Sequence, residues 1–433
     1  MESYLYFGAF IIALLAFLAT GISVAVAMGI IGVLGTLIFI SPNALSQLGS
    51  IALNQSSSMV LIVVPLFVLM SEALAASPIG SNLFRTAQLW LGRIPGALGM
   101  STILTSAGFS AVCGSSPVTA ATIGSVAVPE MVKNGYDRKL ALGLTAAGGT
   151  LGILIPPSVA MILYGVITET SIGTLFIAGI VPGLMIAGLL CLTVWIKVML
   201  NPQLAPPVKT SVTWGERMRS LKLVLPVLLL GVAVMGAIYS GIATPTESGA
   251  VGAAVALIIV GVSGYLAIHS LKRILENTVK TTAMFLFLVI GGMFSSFVLN
   301  RIGIPQGMAE ILTSMDMPGW VIIVGINLLL LILGMFLDPM SILVIMVPIF
   351  FPTVISLGYD PVWFGILVTI NTEIAAITPP VGFNLFVLKN VIPKVTIAEV
   401  TKGALIFILP LAVGLLLLIF LPEIALFLPS MMK

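Results

Sequence analysis

Apolar runs of helical length follow one another along almost the whole chain, separated by short polar joints. They predict an all-α polytopic membrane protein with about ten transmembrane helices, at about 3–19, 22–40, 51–77, 138–168, 173–199, 222–240, 246–268, 278–299, 361–391 and 403–427. Two further apolar segments, 97–128 and 320–351, fit no ordinary length. As a single helix each would run roughly 48 Å at 1.5 Å per residue, too long for a hydrocarbon core about 30 Å thick, and as two spans each is too short. The pattern therefore predicts two re-entrant hairpins of half-helices, which a membrane tolerates where the tip is buried in protein or faces a water-filled cavity. The first tip falls at Cys113-Gly114-Ser115-Ser116-Pro117 and the second at Leu337-Asp338-Pro339-Met340-Ser341.

The breaks in the apolar pattern repeat. Pro95-Gly96 recurs as Pro318-Gly319, Pro129 as Pro352, Gly135-Tyr136-Asp137 as Gly358-Tyr359-Asp360, and Pro156-Pro157 as Pro379-Pro380. Each pair lies 223 residues apart, so one register holds without a gap, and Ser115 stands opposite Asp338. A duplicated membrane unit with matched Pro/Gly interruptions points to a secondary transporter and to its binding site. The organisation expected is one repeat over 1–200 (hairpin 95–129, broken helix 138–168), a polar linker over 201–221, and a second repeat over 222–433 (hairpin 318–352, broken helix 361–391).

Composition and charge fit this reading. With 59% hydrophobic and 8% charged residues and a mean hydropathy of +1.23, the inventory cannot build a water-facing surface. Residues 1–19 lack a basic start and a small-residue cleavage site, so the first run reads as a retained helix. Placing the first hairpin on the cytoplasmic side assigns sixteen of the 18 basic residues to cytoplasmic connections and leaves Arg301 and Lys433 outside. Matched loops differ as inversion requires: 131–139 holds Lys133, Arg138 and Lys139, whereas 354–362 holds no basic residue. The repeats are then inverted, with both termini periplasmic. The moderately apolar segments 79–93 and 302–313 read either as interfacial arms, with Trp90 and Arg93 at headgroup level, or as ordinary loop.

Candidate chemistry gathers at the tips and the proline breaks. Proline lacks an N–H and frees the carbonyl four residues before it; freed carbonyls and helix C-terminal ends suit a cation, while half-helix N-termini suit an anion. Around sodium, hard oxygen donors are expected from Gly114, Ser115, Ser116, Gly149, Thr150, Asn371 and Thr378, against the plainer reading that glycine and proline only kink helices. Asp338 is a carboxylate at bilayer depth, to ligate sodium, relay a proton or cap the half-helix that Pro339 opens. Glu373 is either a second coupling carboxylate or a structural one, and Glu72 calls for a polar partner. For an acidic solute the candidates are Ser116, Ser158, Ser341 and Arg301, the last either binding a carboxylate or snorkelling at a helix end. Glu247 reads as a helix-start residue and His269 as a loop residue. Cys113 and Cys191 read as packing residues, with no disulfide or zinc spacing. Motifs for a P-loop, a serine-hydrolase elbow, a metalloprotease or a dinucleotide fold are absent, and a net charge of +3 spread over loops argues against nucleic acid.

Gly114-Ser115-Ser116, Pro129-Glu130-Met131, the run from Gly148 to Ser158, Thr244-Pro245-Thr246-Glu247, Gly334-Met335-Phe336-Leu337-Asp338 and Ile377-Thr378-Pro379-Pro380-Val381-Gly382 resemble the large membrane subunit of tripartite ATP-independent periplasmic (TRAP) transporters. The resemblance spans essentially the whole chain. It implies a periplasmic substrate-binding protein and a small four-helix membrane subunit as partners, sodium as the driving ion, and an elevator-type carrier in which hairpins and broken helices move together. Its substrates would be organic acids, a sialic-acid-like sugar acid first and a C4-dicarboxylate next. By the same resemblance the site positions are Ser115, Ser116 and Asp338 at the tips, the breaks near Gly149 and Thr378, and Ser158. An autonomous carrier, an ion channel and an intramembrane enzyme are the rival readings.

Overall fold

The computed structural model describes residues 2–92, 94–206, 212–315 and 317–431; the expectations that fell on Arg93, Lys209 and Lys433 lie outside them. It is an all-α membrane protein. Among the described residues six helices are long and apolar enough to cross a bilayer, or up to eight if each of two bent pairs is one span, fewer than the ten expected. Several of the expected spans are shorter apolar helices, among them Ala97–Cys113, Gly319–Gly334 and Pro361–Ala376. Outward faces remain apolar, with Leu229, Val232, Ile258 and Leu409 exposed, as lipid contact requires.

At the centre lie two helices, Arg138–Leu154 and Pro361–Ala376, whose residues are almost all buried. The hairpin Ala97–Cys113 / Ser116–Lys133 packs on the first, and the hairpin Gly319–Gly334 / Pro339–Ser356 on the second. Close approach depends on small residues: a side chain at Gly143 would enter the backbone of Gly403 on helix Ile397–Phe420. Around this centre Val24–Gly35 packs against Ile268–Arg301, and Val63–Ala75 against Pro245–Val262.

Both hairpins turn where expected. Gly114, at φ +67, closes the first half-helix in a left-handed conformation that favours glycine, and Ser115 opens the next. The second tip is longer, Met335 to Asp338. Both proline breaks are present: Arg138–Leu154 and Val159–Thr168 meet at 42°, and Pro361–Ala376 is followed by Phe383–Val391. The segments read either as interfacial arms or as loop are helical, Ile79–Leu91 and Ile304–Ser314.

Four expectations need correcting. The run 51–77 is not one helix: Leu45–Ser56 stops and Val63–Ala75 starts afresh. There Ser56 and Ser57 donate their hydroxyls to the carbonyls of Ala52 and Leu53, a local bond that competes with continuation. The run expected from 278 begins at Ile268, so His269 lies in a first helical turn and not in a loop; the exposed start is compatible with helix through the Lys272–Glu276 pair at 3.8 Å. The run expected from 222 begins at Trp214 under a Thr213–Glu216 capping box. The last run is Ile397–Phe420 under a Thr396–Glu399 box, followed by a separate short helix Glu423–Ser430. Glu247 completes the matching box with Thr244, as a helix-start residue.

Candidate functional site

Each hairpin tip docks on the proline break beside it. The Val159 N–H donates to the Gly114 carbonyl at 3.3 Å, and the Val381 N–H to the Met335 carbonyl at 3.1 Å. Glycines allow the first contact. A Cβ at Gly114 would lie 2.5 Å from the Pro157 carbonyl oxygen, and one at Gly152 would lie 2.6 Å from that of Ser115. The tip thus reaches a helix backbone that any side chain would hold off.

Three of the expected site hydroxyls turn out to be committed. Pro157 frees the Ile153 carbonyl, and the Ser158 hydroxyl donates to it at 2.5 Å while accepting the Met161 N–H at 3.3 Å. In the second break the Thr378 hydroxyl donates to the Ile374 carbonyl at 2.6 Å. Thr150 likewise donates to Ala147 at 2.6 Å. These hydroxyls satisfy the broken helices themselves.

A buried polar cluster joins the first tip to both breaks. Ser116 donates to the Gly149 carbonyl at 3.0 Å and accepts from Asn384 Nδ2 at 2.7 Å. Glu373 stands against the Ser116 hydroxyl and the Ile153 backbone, is 1% exposed, and neither of its carboxylate oxygens makes a well-aligned hydrogen bond; nor does Asn384 Oδ1. A carboxylate kept charged out of water costs several kcal/mol, which a proton or a bound cation would offset. The cluster's oxygens are of the hard type that sodium takes. Asn371 lies elsewhere, donating to the Asn327 carbonyl at 2.7 Å, with its own Oδ1 unpartnered.

A cavity of about 460 Å³ lies where the two tips meet. Ser115, Ser116, Asp338 and Ser341 line it, together with Ser71, Glu72 and Thr281. Gly114, Gly149, Thr150, Ser158, Asn371, Glu373 and Thr378 do not reach its wall, and neither does Arg301, which is exposed and sits 5.7 Å over the ring of Phe297 on its own helix. The cavity is unevenly polar. Asp338 Oδ1 accepts the N–H groups of Met340 and Ser341 at 3.1 and 3.2 Å, and Oδ2 takes the Ser341 hydroxyl, so this half-helix is capped. Ser115 makes no such side-chain cap, leaving the positive end of Ser116–Lys133 open to the cavity. Among the described residues the wall holds two carboxylates, Glu72 and Asp338, and no lysine, arginine or histidine.

The family described as "Tripartite ATP-independent periplasmic transporter, DctM component" matches residues 11–424. The chain belongs to that family. It is a large permease component, a transport protein and not an enzyme. It is 36% identical over 404 residues to the C4-dicarboxylate TRAP transporter large permease protein of Pseudomonas aeruginosa, covering 93% of each chain. To the sialic acid TRAP transporter large permease protein of Vibrio cholerae it is 35% identical over 373 residues, covering 86% of each. Among solved structures, the YdaH transporter of Alcanivorax borkumensis shares the fold, with a TM-score of 0.59 at 16% identity over 88% of this chain and 89% of that one.

Sequence reasoning missed Asn384, Asn277 and Ser71. Asn384 had a signal, a lone amide in the apolar run after Pro379-Pro380. The Glu72 partner, Asn277 Nδ2 at 2.9 Å, stands 205 residues away and left none.

Proposed function

We propose that this permease takes up a small organic acid across the bacterial inner membrane, driven by sodium, after a periplasmic substrate-binding protein delivers it. A small four-helix membrane subunit is the second partner. In this reading residues 1–200 and 222–433 are inverted repeats joined by the 201–221 linker, both termini are periplasmic, and the hairpins and broken helices move together as an elevator.

The observation that carries the reading is the cavity between the two tips, with the buried Glu373 carboxylate just behind Ser116. Solute lies in the cavity against Ser115, Ser116 and Ser341; sodium lies behind it at Ser116, the Gly149 carbonyl and Glu373. Relatives named for a C4-dicarboxylate and for sialic acid are almost equally similar, so identity does not choose between the two. A wall with two carboxylates and no basic side chain favours a monoacid, so a sialic-acid-type solute comes first and a C4-dicarboxylate second. Two sodium ions with one monoanion would carry one positive charge inward, for which the membrane potential supplies ~2.3 kcal/mol per 100 mV.

The test is uptake of N-acetylneuraminate, then succinate, into proteoliposomes holding this chain and the small subunit under an inward sodium gradient, with and without the binding protein. Uptake that needs both sodium and the binding protein is the expected result. Uptake indifferent to the binding protein makes the chain an autonomous carrier, and uptake indifferent to sodium removes the coupling.

A further inference from the structure

Of the two carboxylates on the cavity wall, only one has an oxygen to spare. Asp338 commits Oδ1 to two backbone N–H groups and Oδ2 to the Ser341 hydroxyl. Glu72 accepts from Asn277 on Oε2 alone, and among the described residues Oε1 has no partner. No cation offsets it: the one ion pair among the described residues is Lys272–Glu276. Glu72 is also held in place. Its neighbour Ser71 donates to the Cys113 carbonyl at the first tip, so helix Val63–Ala75 is tied to that tip and Glu72 lines the same cavity as the Ser115–Ser116 turn. On that turn the half-helix start is uncapped and flanked by two serines, as against the other uncapped starts on the wall, Val24–Gly35 and Phe383–Val391, and no basic side chain competes with it.

We infer that Glu72 is the specificity-determining residue of the cavity and that the solute is a monocarboxylic acid bearing a hydrogen-bond donor (hydroxyl, amide N–H or cationic N–H) directed at Glu72 Oε1. This deepens, and rests on, the transport reading above. The solute's carboxylate lies at the Ser115–Ser116 turn, and its donor group spans to Glu72. A second carboxylate at that end would face Glu72 with like charge and no counter-ion, which penalises a dicarboxylate. A donor there meets an anionic acceptor, and such charge-assisted bonds change affinity by about tenfold or more.

The test is equilibrium binding to the full chain with its small subunit in lipid nanodiscs, in sodium chloride and in choline chloride. The probes are radiolabelled N-acetylneuraminate, ectoine and succinate. The wild type should bind N-acetylneuraminate or ectoine, in sodium only, about tenfold or more tightly than succinate. Glu72→Gln should collapse that ratio while keeping sodium-dependent binding, and Glu72→Asp should retain the preference. A fold defect lowers all three affinities together, whereas a role in recognition changes their ratio. Succinate binding as tightly as the others in the wild type, or a ratio unchanged in Glu72→Gln, overturns the inference and leaves the transport reading standing. Sodium-dependent binding of none of the three overturns both.

Discussion

Gly152 is where a single methyl group should reach the transport machinery. Its Cβ would lie 2.6 Å from the Ser115 carbonyl oxygen and 2.7 Å from both Ser115 C and Ser116 Cα. All three are backbone atoms, so no side chain can rotate away, and ordinary contact at about 3.4 Å requires the whole tip to retreat by about 0.8 Å. That retreat carries Ser116 away from the Gly149 carbonyl, now at 3.0 Å, and loosens the cluster around Glu373. Overpacking of this kind costs about 1–3 kcal/mol. Expressed at the cation cluster, that is a rise of about 5- to 150-fold in half-saturating sodium for Gly152→Ala. Helix propensity works the other way by about 1 kcal/mol, so global stability should fall less than sodium affinity. Gly188→Ala is the control, because nothing lies within 4 Å of its Cβ; it should stabilise the protein slightly and leave the sodium response alone. Sodium titration of uptake, paired with thermal unfolding, reads both quantities. A Gly152→Ala protein with the wild-type sodium dependence would refute the claim that this contact sets the site.

Other outcomes follow from the same geometry. Glu373→Gln removes a buried carboxylate without a well-aligned hydrogen bond, so the sodium-free protein should melt higher and the extra stabilisation by sodium should shrink; equal sodium-induced shifts in mutant and wild type would contradict the assignment. In the wild type, sodium at about 100 times its dissociation constant should stabilise by about 2.7 kcal/mol, measured as a melting shift absent with choline. Asp338→Ala removes the cap of Pro339–Ser356 and should cost about 1 kcal/mol by denaturant unfolding, while Asp338→Asn, which can still accept the N–H groups, should cost less; identical losses would mean the cap is not what the carboxylate supplies.

Much of the fold is legible because lipid restricts the choices. Segments 97–128 and 320–351 are too long for one span, so a turn within each follows from length, but the arms run 16–18 residues and Pro339–Ser356 is itself long and apolar enough to cross. Their turns fall where Gly114 and Asp338-Pro339 sit, since the local chemistry of a left-handed cap and an N-cap is written in adjacent residues. Helix ends were less legible. The starts at Trp214 and Ile268 lie in polar stretches where hydropathy falls away, although the Thr213–Glu216 box was readable three residues apart.

The site divides along the same line. Sequence by itself determined that Ser115, Ser116 and Asp338 stand at the tips and that two proline breaks interrupt helices, because each is a relation among near neighbours. It could not tell free oxygens from committed ones. Ser158 and Thr378 looked like open donors, and each spends its hydroxyl on a carbonyl of its own break. Only the tertiary structure decided that Asn384 meets Ser116 from 268 residues away, that Asn277 holds one oxygen of Glu72 on the cavity wall, and that Glu373 is buried against Ser116 without a well-aligned hydrogen bond. Hydrogen bonds between distant helices depend on how those helices pack, and apolar runs of equal length carry no record of which polar atoms they will bring together.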